Sequence, residues 1–165
     1  PYDNEPSIRE GWQYSMTVPR ELSWKGDILC QKPVRELEAL RKDEIVLEHG
    51  ETEIHGGAFD LVTAREVAGD IPVRICFNQE LQITYGHGVV SMEFLNNTGS
   101  GRTIRKAKLD GLQNVRILMD VSLMEVYFND GELVMTTRYY PEDPMTTKVS
   151  ISGMEQVKGW TMAGQ

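Results

Sequence analysis

Apolar and polar positions alternate through most of this chain, most regularly between residues 115 and 141. Val115, Ile117 and Met119 alternate with Arg116, Leu118 and Asp120, and Met124, Val126 and Phe128 alternate with Glu125, Tyr127 and Asn129. A period of two bounded by turn residues predicts a half-buried antiparallel sheet. Asp120-Val121-Ser122 and Asn129-Asp130-Gly131 supply the turns, the second with residues that tolerate positive φ. The run therefore predicts three consecutive strands with Glu125 on the solvent face, where a cross-strand Arg or Lys would pair with it.

The same pattern recurs on both sides. Ser15–Val18 and Glu21–Trp24 predict short extended segments separated by Pro19, and Lys25-Gly26-Asp27 turns the second into Ile28–Gln31. Ala58–Val67 is a long strand with Phe59, Leu61 and Thr63 on one face. Val73–Phe77 and Leu81–Tyr85 flank Asn78-Gln79-Glu80 as a hairpin, and Val89–Leu95, Thr147–Ile151 and Val157–Met162 read as further strands. Ile45–Glu48 and Thr52–His55 are shorter ones, and residues 96–101 (NNTGSG) predict a flexible loop. The exception is 33–43. Val34, Leu37 and Leu40 recur every third residue behind Pro33, which predicts a short linker helix. About ten strands with turn signals every 8 to 12 residues predict an all-β fold, an antiparallel β-sandwich of the concanavalin-like or jelly-roll type.

Composition narrows the function classes. A net charge of −8 and a pI near 4.9 argue against a nucleic-acid binder. No apolar run approaches the roughly 18 residues of a membrane span. The 165 residues do not begin with Met, which reads as a processed chain or a piece of a longer one. Cys30 and Cys76 lack CxxC spacing and read as two free thiols, which favours a reducing cytoplasm. His49, His55 and His87 are scattered without metal-ligand spacing. Trp12, Trp24 and Trp160 are expected to pack a domain junction or the core, with sugar stacking the alternative. Of Tyr139 and Tyr140, at least one is expected to face the core. Asn96-Asn97-Thr98 fits a glycosylation sequon, whose meaning depends on secretion.

Two motifs carry a family resemblance. Residues 29–37 (LCQKPVREL) with Leu40-Arg41, preceded by Val18-Pro19-Arg20-Glu21-Leu22, resemble the segment that leaves the catalytic propeller of glycoside hydrolase family 32. That family includes invertases, sucrose-6-phosphate hydrolases and fructanases. Residues 120–132 (DVSLMEVYFNDGE) are similar to the family's D-x-S-x-x-E-V-[FY]-x-N-[DG]-G pattern in its C-terminal sandwich, and Phe59-Asp60-Leu61 fits the first long strand of that sandwich. The resemblance implies a five-bladed propeller followed by a sandwich. Residues 1–32 would be the remnant of the last propeller strands, 33–43 the linker and 44–165 the C-terminal sandwich. Arg20, Glu21, Leu22, Val34, Leu37 and Leu40 would lie at the propeller junction.

The resemblance also implies an enzyme that cleaves terminal β-fructofuranosyl linkages with retention, in sucrose, sucrose 6-phosphate or a fructan. Its three catalytic motifs, W-[MI]-N-D-P-[NG]-G, R-D-P and E-C, do not occur in this chain. A retaining glycosidase needs two carboxylates about 5–5.5 Å apart. Asp120 and Glu125 are instead expected to be structural, Asp120 by bonding the backbone near Ser122 and Glu125 by its cross-strand pair. No residue is thus assigned a catalytic, cofactor-binding or metal-binding role. The expected function is a non-catalytic module that stabilises the propeller of its own polypeptide. A sugar ligand and a homodimer stay open as further partners.

Overall fold

The computed structural model describes residues 11, 14–47 and 50–163. In chain order its strands are β1 (Arg20–Lys25), β2 (Ile28–Pro33), β3 (Arg41–Ile45), β4 (Glu51–His55), β5 (Ala58–Gly69), β6 (Val73–Phe77), β7 (Leu81–Gly86), β8 (Val89–Phe94), β9 (Ile104–Lys108), β10 (Leu112–Asp120), β11 (Leu123–Phe128), β12 (Leu133–Arg138), β13 (Thr146–Ser152) and β14 (Gln156–Met162). They form two six-stranded sheets, ordered β12-β11-β10-β5-β14-β3 and β4-β13-β6-β7-β8-β9, plus a separate β1-β2 hairpin. Every pairing is antiparallel. The expected sandwich is what forms.

The core lies between the two large sheets, as period two requires. Phe59, Leu61, Ile117, Val126 and Phe128 from the first sheet meet Ile75, Phe77, Ile83, Met92 and Val149 from the second. The Phe59 and Phe77 rings stack with centroids 6.3 Å apart. Burying each such side chain contributes roughly 1.5–3 kcal/mol.

Several details differ from the sequence expectations. The helical turns expected at 33–43 form a short 3-10 helix. Pro33 ends β2, a 3-10 helix runs only from Arg35 to Leu40, and Arg41 already begins β3 at the sheet edge. Spacing by three is the 3-10 period, in which residues i and i+3 eclipse. The strand expected at Ile45–Glu48 is therefore shifted back to Arg41–Ile45, and Glu48 lies outside the described residues. Residues 14–19 form no strand.

The NNTGSG loop is built rather than loose. Asn96 accepts the Thr98 backbone N–H at 3.0 Å and caps a 3-10 turn over Asn97–Gly99. A Cβ on Gly99 would sit 2.6 Å from the Phe94 ring. Asp120 makes no Asx turn. Its own carbonyl accepts the Ser122 N–H at 2.5 Å while Val121 takes φ +52°.

Tyr139 is fully buried; it donates its hydroxyl to buried Glu80 and accepts from the Asn78 amide at 3.0 Å. Burial first, then Glu80, push its pKa far above the ordinary value of 10.0, and Tyr127 is raised in the same way. A tyrosine whose folded pKa is raised contributes stability that is complete below pH 10 and lost as pH rises further. Spectrophotometric titration should thus show a late, steep group containing Tyr127 and Tyr139. The late group should ionise together with loss of circular dichroism. A single smooth titration with the fold intact would contradict this.

Candidate functional site: the anchoring face of the sandwich

The outer face of the first sheet should be wet by alternation, yet β11 is buried on both faces. Glu125 is 1% exposed and Tyr127 2%. The cover is the β1–β2 hairpin and the segment before it. Glu125 Oε1 accepts the Val18 backbone N–H at 2.8 Å. Glu125 Oε2 accepts Arg20 Nη2 at 2.6 Å and the Tyr127 hydroxyl at 2.7 Å. Arg20 also donates to Gln31 Oε1 at 2.9 Å and Thr136 Oγ1 at 3.1 Å, and it lies 5.4 Å from the Tyr127 ring centroid.

The expected cross-strand partner of Glu125 is therefore corrected. Its neighbours in register are Leu118 and Thr136, and its cation comes from 105 residues earlier. Burial alone would weaken the Arg20 charge, but Glu125 and Tyr127 together outweigh it and raise the guanidinium above its ordinary range. Burial, then Glu125, raises the Tyr127 phenol, so it stays a donor.

The turn after β11 grips the same hairpin. Asn129 (φ +48°) accepts the Gln113 N–H at 2.8 Å and donates to the Gly111 carbonyl at 2.7 Å, tying the turn to the start of β10. Lys32 pairs with Asp130 at 3.3 Å, and Lys25 pairs with Glu132. Gly131 has φ +90°, and a Cβ there would lie 2.0 Å from the Gln31 carbonyl oxygen. The glycine lets the β2 backbone rest directly on the turn. Gly131→Ala should therefore lose about 2–4 kcal/mol through overpacking and left-handed strain. Urea unfolding would measure it, and a loss below about 1 kcal/mol would show that the approach is not tight.

A second node fixes the linker. Asp60 is fully buried in β5. Arg41 Nε reaches its Oδ2 at 2.9 Å, and Arg116 reaches Oδ1 and Oδ2 at 3.0 and 2.8 Å. Glu38 of the 3-10 helix lies 3.5 Å from Arg41 and 3.7 Å from Arg116. Trp160 carries the Arg41 guanidinium on its ring at 3.9 Å. A cavity of about 540 Å³ opens beside this node, lined by Val18, Leu37, Leu40, Phe59, Leu118 and Met162 among others.

Of the residues expected at a junction, Arg20 binds the sheet and Val34 and Leu37 are half-buried. Glu21 borders a polar cleft with Lys32, Arg116 and Tyr127. Leu22 and Leu40 are exposed. Leu22 shares a hairpin face with Trp24, which is 73% exposed, and Leu29. Trp12 and His49 lie outside the described residues. His55 sits 3.6 Å from Glu53, and His87 3.7 Å from Asp70, both exposed. Asp120 is exposed at its turn, and both Glu125 oxygens are taken by donors. What alternation missed was the role of Asp60, a carboxylate in mid-strand between Phe59 and Leu61.

Comparison with known proteins agrees with this geometry. Residues 90–160 match the family model described as glycosyl hydrolases family 32 C terminal. A sucrose-6-phosphate hydrolase of Vibrio alginolyticus is 30% identical over 99% of this chain and 34% of its own length. That of Bacillus subtilis strain 168 is 28% identical over 84% of the chain and 30% of its own length. The chain thus spans about a third of these curated relatives. Among solved structures, a Bombyx mori family 32 β-fructofuranosidase superposes with TM-score 0.73 at 20% identity, over 93% of this chain and 34% of that one. The Lactobacillus gasseri sucrose-6-phosphate hydrolase gives TM-score 0.65 at 22% identity, over 97% and 36%. The sandwich, with the hairpin that its outer face holds, matches the C-terminal module of glycosyl hydrolase family 32.

Proposed function

We propose that this chain is the non-catalytic supporting module of a retaining hydrolase of terminal β-fructofuranosyl linkages, and that it holds the end of a catalytic propeller in the same polypeptide. Sucrose 6-phosphate is the first substrate to test, with sucrose and fructans next. The observation that carries the reading is the grip of Glu125 on Val18 and Arg20. A buried carboxylate whose oxygens accept from Val18 and Arg20 of the incoming segment and from Tyr127 of its own strand is a fastener rather than an acid or base. The exposed apolar side chains of Leu22, Trp24 and Leu29 on one hairpin face support protein cover there. The buried free thiols Cys30 and Cys76 suit a reducing cytoplasm.

The purified chain should hydrolyse none of the three substrates, and activity in a contaminant-free preparation would overturn the reading. In the full-length enzyme, Glu125→Gln should speed thermal inactivation while turnover per folded molecule stays within about twofold. A folded Glu125→Gln enzyme without turnover would make Glu125 a catalytic group instead.

A further inference from the structure

The second sheet ends in two strands of opposite charge. β9 (Ile-Arg-Lys-Ala-Lys) is one edge and β4 (Glu-Thr-Glu-Ile-His) the other. Both are five residues long, and Arg105, Lys106, Lys108, Glu51, Glu53 and His55 are all exposed. We infer that β9 of one copy of this chain pairs with β4 of a second copy, continuing the sheet from molecule to molecule.

Three independent features of the backbone and sequence fit a single register. The first is direction. All five pairings across this sheet are antiparallel, so β4 and β9 run in opposite senses. A second copy in the same orientation therefore offers β4 antiparallel to β9.

The second is hydrogen bonding. Phe94 N–H donates to the Thr103 carbonyl and Leu109 N–H to the Gly88 carbonyl, so odd-numbered residues of β9 turn their peptide groups toward β8. Ile104, Lys106 and Lys108 turn theirs outward. On β4, Gly56 N–H donates to the Met145 carbonyl, so Ile54 and Thr52 bond β13 while Glu51, Glu53 and His55 turn theirs outward. The outward sets match when Lys106 faces Glu53 and Lys108 faces Glu51, with Ile104 opposite His55. Residues that face each other in this way exchange both of their backbone bonds.

The third is the side-chain face. In that register Lys106, Lys108, Glu51 and Glu53 share the outer face of the sheet, while Arg105 and Ala107 align with Ile54 and Thr52 on the inner face. Two Lys–Glu cross-strand pairs form.

Charge on edge strands commonly prevents aggregation. Here it does so for like edges, because β9 against β9 opposes lysines and β4 against β4 opposes glutamates. Only the unlike pairing is attractive. It uses one edge of each copy and leaves the other free, so growth is open rather than closed at a dimer. The anchoring face lies on the other sheet, so this assembly does not depend on the supporting role.

Light scattering at low ionic strength tests it on the 165-residue chain. The weight-average mass should climb with concentration past that of a dimer. It should fall back in 1 M salt, where the Debye length is about 3 Å. Glu51→Lys with Glu53→Lys, and separately Lys106→Glu with Lys108→Glu, should each weaken association by about tenfold or more. An equimolar mixture of the two variants restores opposite charges at every junction and should recover association. Melting curves like the parent's would show that both variants fold. A mass fixed at one chain, a closed dimer indifferent to either reversal, or a mixture that stays dissociated would each overturn the inference.

Discussion

Asp60→Ala should destabilise the chain by about 4 kcal/mol, because removing one partner of a buried ion cluster leaves the others uncompensated. For a chain of this size that is a fall in Tm of roughly 8–16 °C. Asp60 is completely buried and holds two guanidiniums at 2.8–3.0 Å. Without it, the carboxylate left to Arg41 and Arg116 among the described residues is Glu38, which is half exposed and 3.5–3.7 Å away. Asp60→Asn should fall between the parent and alanine, since the amide keeps an acceptor but no charge. A matching loss on Arg41→Ala, non-additive with Asp60→Ala in a double-mutant cycle, would locate the energy in the linker contact. An Asp60→Ala protein that melts within a degree or two of the parent would show the cluster to be energetically idle.

Glu125→Ala should cost about 3 kcal/mol and act on a different part of the molecule. Here one guanidinium, that of Arg20, loses its carboxylate, whereas Asp60→Ala strands two, so the penalty is smaller. The Val18 N–H loses its acceptor as well. The expected result is local release: faster hydrogen exchange across residues 18–33, with protection in β10 and β5 retained. Trp24 fluorescence offers no separate report, because that ring is already exposed. Uniform loss of protection in the sandwich, with the hairpin still protected, would contradict the assigned role.

The strands, their turns and the inward face were legible because period two records which side meets the opposite sheet. Phe59, Leu61 and Thr63 face inward as their spacing requires, and the 115–141 run folds as three strands. The outer face was not legible in the same way. Glu125 and Tyr127 alternate like solvent-facing residues, and nothing local reveals that a hairpin more than a hundred residues away covers them. The family motif marked those positions without giving their partners. The linker's helical turns were legible from the three-residue repeat, but their end was not: the strand that follows owes its place to β14 rather than to its own alternation.

The separation between Arg20 and Glu125 has a consequence for synthesis. Arg20, at the start of the hairpin, leaves the ribosome 105 residues before its carboxylate does. At about 5–20 residues per second, it waits roughly 5–20 s for its clasp. A two-stranded hairpin is marginal alone in water, so for that interval its order must come from whatever was made before it. The sandwich then arrives and locks in place a strand that was already present.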